Sequence, residues 1–204
     1  MKPDHESLHL LHRLHRLHQR VFADPEVRAV LDAGFVQLAL ELRSRPEPPH
    51  ATCTVPIELF TGVEQDRITA ASEDRVTADR HDDVRLCRLF LLRRGARMAV
   101  PERHRNSVQR LVSYRGSGSI HQGVPGGGPE SLGPRAIYSP GADDSDLARH
   151  WDIVPVGVWH YPQAHGREDW ATVTFHSAAE GEIVDEFWNQ RRHSWSVRNP
   201  KEER

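Results

Sequence analysis

The sequence predicts a mainly β protein with an α-helical segment at its N-terminus. Short runs rich in Val, Ile, Leu, Phe and Thr recur between residues 52 and 175. Turn signals such as Arg94-Gly95 and Pro140-Gly141 separate them. Many short strands with frequent turns are typical of a sandwich or barrel rather than a βαβ sheet. The first 50 residues have the apolar spacing of helices instead.

The N-terminal segment is taken as residues 1–50, and we expect it to pack on the β-barrel domain that follows. Two helices are predicted within it. The first covers Ser7–Arg20, where an apolar residue recurs every three positions: Leu8, Leu11, Leu14 and Leu17. The second covers Pro25–Arg43, with Asp24 as its N-cap. Its apolar face consists of Val27, Val30, Leu31, Phe35 and Leu38. The prolines of Ser44–His50 end this helix.

Residues 51–189 are predicted to form one β-barrel domain, and residues 190–204 a polar C-terminal tail. The predicted strands are Thr52–Phe60, Val84–Leu92, Arg110–Tyr114, Ile153–Val158 and Ala171–Phe175. We expect the charged stretch Glu64–Asp83 to be a loop or an exposed hairpin. The stretch Gly123–Gly133 lacks apolar periodicity and is expected to be a mobile loop.

Composition narrows the function classes. The 204 residues include 27 Lys and Arg against 29 Asp and Glu, a net charge of −2, so no excess of positive charge attracts nucleic acid or an anionic membrane. No apolar run reaches the ~20 residues of a membrane span, and no signal peptide is recognisable. Two cysteines cannot form a disulfide scaffold, so we expect a cytoplasmic protein. Neither a phosphate-binding loop nor the Gly-x-Ser-x-Gly motif of serine hydrolases occurs.

Two motifs lie within the predicted barrel. The first has Glu102 and His104 two residues apart, Gln109 five residues later, and Gly116 seven further on. The second has the spacing Pro155-x-Gly157-x-x-His160. Together they resemble the two signature motifs of the cupin superfamily over about residues 84–175. The resemblance implies a cupin-like jelly-roll barrel.

The first motif departs from the cupin pattern at two positions. Glu102 stands where the first histidine is expected, and Gln109 stands where the glutamate is expected. The resemblance therefore implies a metal site of Glu102, His104, Gln109 and His160, which keeps the single negative charge of the usual three-histidine, one-glutamate set. It is similar in kind to the ligand set of the manganese-dependent ureidoglycine aminohydrolases, another cupin family.

Strand geometry agrees with this interpretation, because residues two apart on a strand point to the same face. The mixture of nitrogen and oxygen donors suits Fe(II), Mn(II), Ni(II) or Zn(II). If Gln109 does not bind, Glu102, His104 and His160 still make the two-histidine, one-carboxylate triad of non-haem iron oxygenases. We favour Fe(II), because the ionised Glu102 lowers the effective charge of the ion and so helps electron release to O₂.

Three further residues are candidate catalytic groups: His176, Arg115 and Tyr114. By alternation, Trp170, Thr172, Thr174 and His176 share one face of a strand, but which face lines the barrel is left open. Arg115 has two interpretations, a group that holds a substrate carboxylate and an exposed ion pair. The histidines at positions 9, 12, 15 and 18 sweep about half of a helix circumference and cannot all share one ion.

The sequence thus predicts a metal-dependent enzyme that acts on a small chelating organic molecule, with a non-haem Fe(II) dioxygenase or oxidative-rearrangement enzyme favoured. One alternative is a Mn- or Zn-dependent lyase, isomerase or hydrolase at the same site. Another is a metal-free cupin that serves as a small-molecule sensor or accessory protein. The N-terminal leucine stripe permits a homodimer, a state common among cupins, but the sequence does not decide between a monomer and a dimer.

Overall fold

A computed structural model describes residues 5–61, 84–133, 137–138, 140–141, 146–189 and 192–199. Helix α1 covers His5–Ala23, and α2 covers Pro25–Ser44. Asp24 caps α2, because its Oδ1 accepts hydrogen bonds from the backbone N–H groups of Glu26 at 2.9 Å and Val27 at 3.2 Å. Both helices predicted from the apolar spacing are therefore confirmed. A single helical turn, α3, follows at Glu58–Thr61.

The apolar faces of the two helices differ slightly from the prediction. On α1, Leu14, Leu17 and Val21 are buried, whereas Leu11 is exposed. A three-residue step advances by only about 300°, so a stripe with this spacing drifts around the helix and leaves the interface. On α2, Val30 is exposed and Leu42 is buried in its place.

The rest of the fold is a pair of antiparallel sheets. Sheet A has five strands in the order β1-β2-β9-β4-β7, and sheet B has six in the order β11-β10-β3-β8-β5-β6. The strands are β1 His50–Val55, β2 Leu86–Leu92, β3 Glu102–His104, β4 Gln109–Arg115, β5 Ser117–Gln122, β6 Ile137–Tyr138, β7 Trp151–Val154, β8 His160–His165, β9 Trp170–His176, β10 Asp185–Asn189 and β11 Ser194–Arg198. The predicted mainly β fold is confirmed.

The helices cover the outer face of sheet A. A large core joins the buried residues of α1 and α2 to one face of β1, β2, β4 and β9, including Phe35, Val112, Val173 and Phe175. A second, smaller core lies between the sheets and includes Leu111, Ile120, Val158 and Trp170. Because one face of sheet A is occupied by helices, the other face is turned toward sheet B.

Three expectations for the remaining segments have different outcomes. The predicted tail contains β11, which pairs with β10 along all five of its residues, so part of residues 190–204 belongs to sheet B. The segment expected to be a mobile loop, Gly123–Gly133, contains a 3₁₀ turn at Pro129–Ser131 with Ser131 Oγ donating to the Gly128 carbonyl at 2.6 Å. The stretch Glu64–Asp83 lies outside the described residues. Within the described ranges, no helix is long and apolar enough to cross a membrane.

Candidate metal centre

The pairing of β3 with β8 brings the two motifs together. Glu102 and His160 are direct cross-strand partners, and His104 follows two residues later on the same face of β3. One ligand atom from each of Glu102, His104 and His160 lies within 4.8 Å of the other two. The distance from His160 Nε2 to Glu102 Oε1 is 3.8 Å. This cluster, which we call the triad, brings together three of the four ligands that the cupin resemblance implies.

Two glycines of the motifs turn the chain toward this arrangement. Gly157 has a φ of +73° and stands at the third position of the turn from Pro155 to Val158, where a left-handed residue is required. Its N–H donates to the His104 carbonyl at 2.8 Å, which ties this turn to the end of β3. Gly116 has a φ of +68°, and an added Cβ would come within 2.4 Å of the Asp169 carbonyl oxygen.

His160 is held as a neutral imidazole with a bare ring nitrogen. Its Nδ1 donates to the Val158 carbonyl at 3.2 Å, so Nε2 carries the lone pair. Nε2 is buried and has no hydrogen-bond partner among the described residues. Burial, followed by the charge of His104, lowers the pKa of His160 to about 3. An unpartnered, deprotonated nitrogen beside a carboxylate is what a divalent ion requires, so these residues fit a metal site.

His104 is oriented by a carboxylate that the sequence analysis missed. Its Nδ1 lies 2.6 Å from Asp185 Oδ1, and Asp185 is the cross-strand partner of His104 on β10. Burial lowers the pKa of His104, but the hydrogen bond with Asp185 and the charges of Glu102 and Asp185 outweigh it, so the pKa is raised overall. A carboxylate on the outer nitrogen of a histidine is the usual support of a metal ligand. The only sequence signal for Asp185 was a carboxylate within a short apolar stretch.

Gln109 and His176 complete the polar end of the cavity. They are cross-strand partners on β4 and β9. Gln109 Oε1 lies 3.0 Å from His104 Nε2, and the His176 ring centroid is 5.1 Å from that of His104. His176 Nδ1 is buried without a hydrogen-bond partner in the described ranges, and burial brings the pKa of His176 well below its usual value. Both predicted residues therefore lie beside the triad.

Tyr114 and Arg115 lie elsewhere, which corrects the expectation that they face the site. The Tyr114 hydroxyl donates to Asp32 Oδ1 at 2.9 Å, and its ring stacks on Phe35 of α2. Arg115 is exposed, with its guanidinium 5.5 Å from the centre of the Phe35 ring. Strict alternation from Gln109 would turn Arg115 inward, but a register shift between Ser113 and Arg115 breaks that alternation. Both side chains thus belong to the helix side of sheet A.

The triad opens into a cavity of about 300 Å³ between the sheets. Burial raises the pKa of Glu102 at this polar end, although the charges of His104 and Arg88 act against the rise. Phe90, Leu111, Ile120 and Trp170 supply apolar surface further along. The sheet A wall also includes Thr172, Thr174 and one guanidinium, that of Arg88. In the sequence, this arginine is the one charged residue within the apolar run Leu86–Leu92.

Strand order and motif placement together identify the architecture. The strands β3 and β8, which carry the two motifs, are neighbours in one of two antiparallel sheets, and both motif glycines adopt a left-handed backbone. The chain has a cupin-like fold. The fold implied by the two motifs is therefore confirmed.

Comparisons with known proteins give remote structural likenesses. No family model and no curated protein matches the chain. KdgF from Halomonas sp. is similar with 15% identity and a TM-score of 0.38, over 67% of this chain and 87% of that one. CapF from Staphylococcus aureus, a capsular polysaccharide assembling protein, is similar with 12% identity and a TM-score of 0.39, over 56% of this chain and 28% of that one. Procruciferin, an 11S globulin from Brassica napus, has 12% identity and a TM-score of 0.37, over 56% and 22%. The aligned part thus spans under a third of the CapF and procruciferin chains.

Proposed function

We propose that this protein is a metal-dependent enzyme whose ion is held by Glu102, His104 and His160, with Gln109 as a fourth ligand. The observation that supports this most directly is the bare, buried Nε2 of His160, 3.8 Å from Glu102 Oε1. Leaving such a nitrogen without a partner costs about 1–3 kcal/mol, and binding an ion removes that cost. The three ligands form a two-histidine, one-carboxylate set, and Fe(II) is the ion we expect.

The reaction we propose is oxidation of a small organic molecule, as in a dioxygenase or an oxidative rearrangement. When bound, Fe(II) supplies the redox chemistry toward O₂, and Glu102 makes its environment electron-rich. Asp185 fixes the ring of His104 so that Nε2 points into the cavity. His176 lies at the same end of the cavity with a buried Nδ1 that has no hydrogen-bond partner among the described residues, and burial lowers its pKa, so a neutral ring is available to hydrogen-bond a substrate group. The apolar surface of Phe90, Leu111 and Trp170 keeps water from the reacting end.

Metal analysis of protein purified without a histidine tag tests the centre. We expect close to one ion per chain in the wild type and a sharp fall in His104→Ala and His160→Ala. His121→Ala is the matched control, because His121 lies on β5 and stacks on Tyr161, with ring centroids 4.4 Å apart, away from the triad. It should retain the wild-type metal content.

The chemistry is tested by loading the apo-protein anaerobically with Fe(II) and measuring O₂ consumption with candidate substrates. Consumption that depends on both substrate and His160 supports the oxidative reaction. Turnover with Mn(II) or Zn(II) but no O₂ consumption would assign the site to a lyase, isomerase or hydrolase instead. Metal-free wild-type protein that still binds small molecules would overturn the enzyme assignment and favour a binding module.

A further inference from the structure

The sheet A wall of the cavity holds a positive charge that the triad does not use. Arg88 lies in the middle of β2, between apolar neighbours, and its side chain is 26% exposed. It lines the cavity together with the triad. Within the described residues its guanidinium makes no hydrogen bond, although this group carries five N–H donors. A guanidinium that lines a pocket with its donors available is suited to binding an oxyanion.

The single ion pair of Arg88 among the described residues is loose. Its Nη2 lies 3.8 Å from Glu180 Oε1, and Glu180 is 59% exposed. Glu180 is placed by Thr54, whose hydroxyl lies 3.1 Å from both carboxylate oxygens. An exposed pair at this distance contributes little to stability. The pair with Glu180 therefore leaves N–H donors of Arg88, which lines the cavity, available to a ligand.

Two threonine hydroxyls lie next to Arg88 on the same wall. Thr174 is its direct cross-strand partner on β9, and side chains paired in this way have Cβ atoms about 5 Å apart. Thr172 precedes Thr174 on the same face, and their Oγ1 atoms are 3.4 Å apart. Both side chains are buried and line the cavity. Each hydroxyl can donate one hydrogen bond to an oxygen atom placed between it and Arg88.

We propose that Arg88, Thr172 and Thr174 form a carboxylate-binding subsite, and that the substrate is a small carboxylic acid with a second donor group for the ion. The second half of this statement rests on the proposed function; the subsite itself does not. The guanidinium is close enough to the triad for its charge to act on both Glu102 and His176. A cavity of about 300 Å³ is at the lower end of the range for ligand pockets and limits the acid to a small molecule.

The subsite is tested first without metal. Propionate and its neutral isostere propionamide are titrated into apo-protein by calorimetry or NMR. We expect the wild type to prefer propionate, and Arg88→Gln to lose about ten- to hundredfold in propionate affinity with no loss for propionamide. Arg88→Lys keeps the positive charge but lacks the planar guanidinium, so its propionate affinity should lie between that of the wild type and that of Arg88→Gln.

Two control variants separate anion binding from a structural role of Arg88. Glu180→Gln removes the ion pair but keeps the guanidinium, so propionate should bind as well as to the wild type or better. Arg85→Gln removes a comparable exposed pair, that of Arg85 Nη1 and Glu182 Oε2 at 2.7 Å, and should leave the affinity unchanged. If Glu180→Gln weakens propionate as much as Arg88→Gln does, or if the preference for propionate survives in Arg88→Gln, the proposal is wrong.

The metal-loaded protein tests the substrate class. Imidazole-4-acetate carries a donor nitrogen and a carboxylate, whereas 4-methylimidazole carries the nitrogen alone. We expect the loaded wild type to prefer the acid, and Arg88→Gln to bind both alike. Should the protein hold no ion while propionate binding still depends on Arg88, the proposed function fails and the subsite stands. If the loaded wild type shows no preference for the acid, the substrate class is wrong.

Discussion

The two triad histidines have opposite hydrogen-bond environments within one cavity. His160 Nδ1 donates to a backbone carbonyl, so Nε2 remains a lone-pair donor. His104 has a carboxylate on Nδ1 and an amide oxygen 3.0 Å from Nε2, which favours a ring protonated at both nitrogens in the absence of an ion. Since an ion needs Nε2 of His104 deprotonated, loading the site must release this proton. In the metal-bound protein, Asp185 then determines how strongly His104 binds the ion.

Asp185→Asn should weaken metal binding about 10–100-fold, because the amide supports the His104 ring less strongly than the carboxylate does. Competitive titration of the apo-protein with a metal-sensitive chelator measures this change. Glu186→Gln is the matched control, since Glu186 is adjacent on β10 but pairs with Arg103 and Arg105 rather than with His104. Equal losses in the two variants would contradict an orienting role for Asp185.

The residues of the site differ in whether they could be predicted from the sequence. Glu102, His104, Gln109 and His160 could be predicted because they lie in two short motifs that resemble those of cupins, each local enough to be recognised in the sequence. Asp185 and Arg88 could not be selected, because each reaches the site through pairing with a strand distant in the chain: β10 pairs with β3, and β2 pairs with β9. Long-range register of this kind leaves no local trace beyond a charged residue in or next to an apolar stretch.

At the level of elements, β9 shows how packing resolves an ambiguity that alternation leaves open. Its two faces were predicted correctly: Thr172, Thr174 and His176 on one side, Val173 and Phe175 on the other. The helices decide which face is inner, because α1 and α2 cover the apolar one. On β4 the same rule fails at the register shift after Ser113, and Arg115 leaves the face that Gln109 occupies. A shift of this kind depends on the partner strand and cannot be read from β4 itself.

Tyr114→Phe tests whether the helix side of sheet A is separate from the metal centre. The variant loses the hydrogen bond to Asp32, and Asp32 is exposed enough for water to replace it. We expect the free energy of unfolding to fall by about 0.5–1.5 kcal/mol in urea denaturation. Metal content and substrate turnover should stay at wild-type levels. A drop in metal content without a larger loss of stability would place Tyr114 in the functional site after all.

For the whole molecule, the apolar residues are divided between two cores, and this division explains both where the N-terminal helices pack and where the cavity lies. The larger core joins the helices to the outer face of sheet A, and the smaller core lies between the sheets. The space between the sheets is therefore lined partly by polar groups, among them three buried histidines (His104, His160 and His176), two carboxylates and two arginines. Such a wall costs stability in the metal-free protein, because these groups lose water without all gaining partners. The free energy of unfolding of the metal-free protein should consequently depend on pH.

The pKa of His160 is lowered to about 3 from an ordinary value of 6.5, and that of His176 is also well below it. Below pH 6.5 the unfolded chain therefore binds protons at these two positions that the folded protein does not bind. His104 acts oppositely: its raised pKa adds stability that is complete below pH 6.5 and is lost as pH rises through the folded value. The lowered pKa values of His160 and His176 should thus reduce the free energy of unfolding of metal-free protein as the pH falls from about 6.5 to 5, by up to about 1.4 kcal/mol per pH unit for each histidine, whereas the raised pKa of Glu102 acts in the opposite sense.

His160→Gln removes one of the two histidines with a lowered pKa. The free energy of unfolding of this variant should therefore decline less steeply between pH 6.5 and pH 5 than that of the wild type, by up to about 1.4 kcal/mol per pH unit. Urea denaturation of the apo-proteins at several pH values measures both slopes. Tyr114→Phe, which adds or removes no group that titrates in this range, should keep the wild-type slope. Equal slopes in His160→Gln and the wild type would mean that the pKa of His160 in the folded protein is close to the ordinary value of a histidine. Its Nε2 would then lack the lone pair on which the metal centre depends.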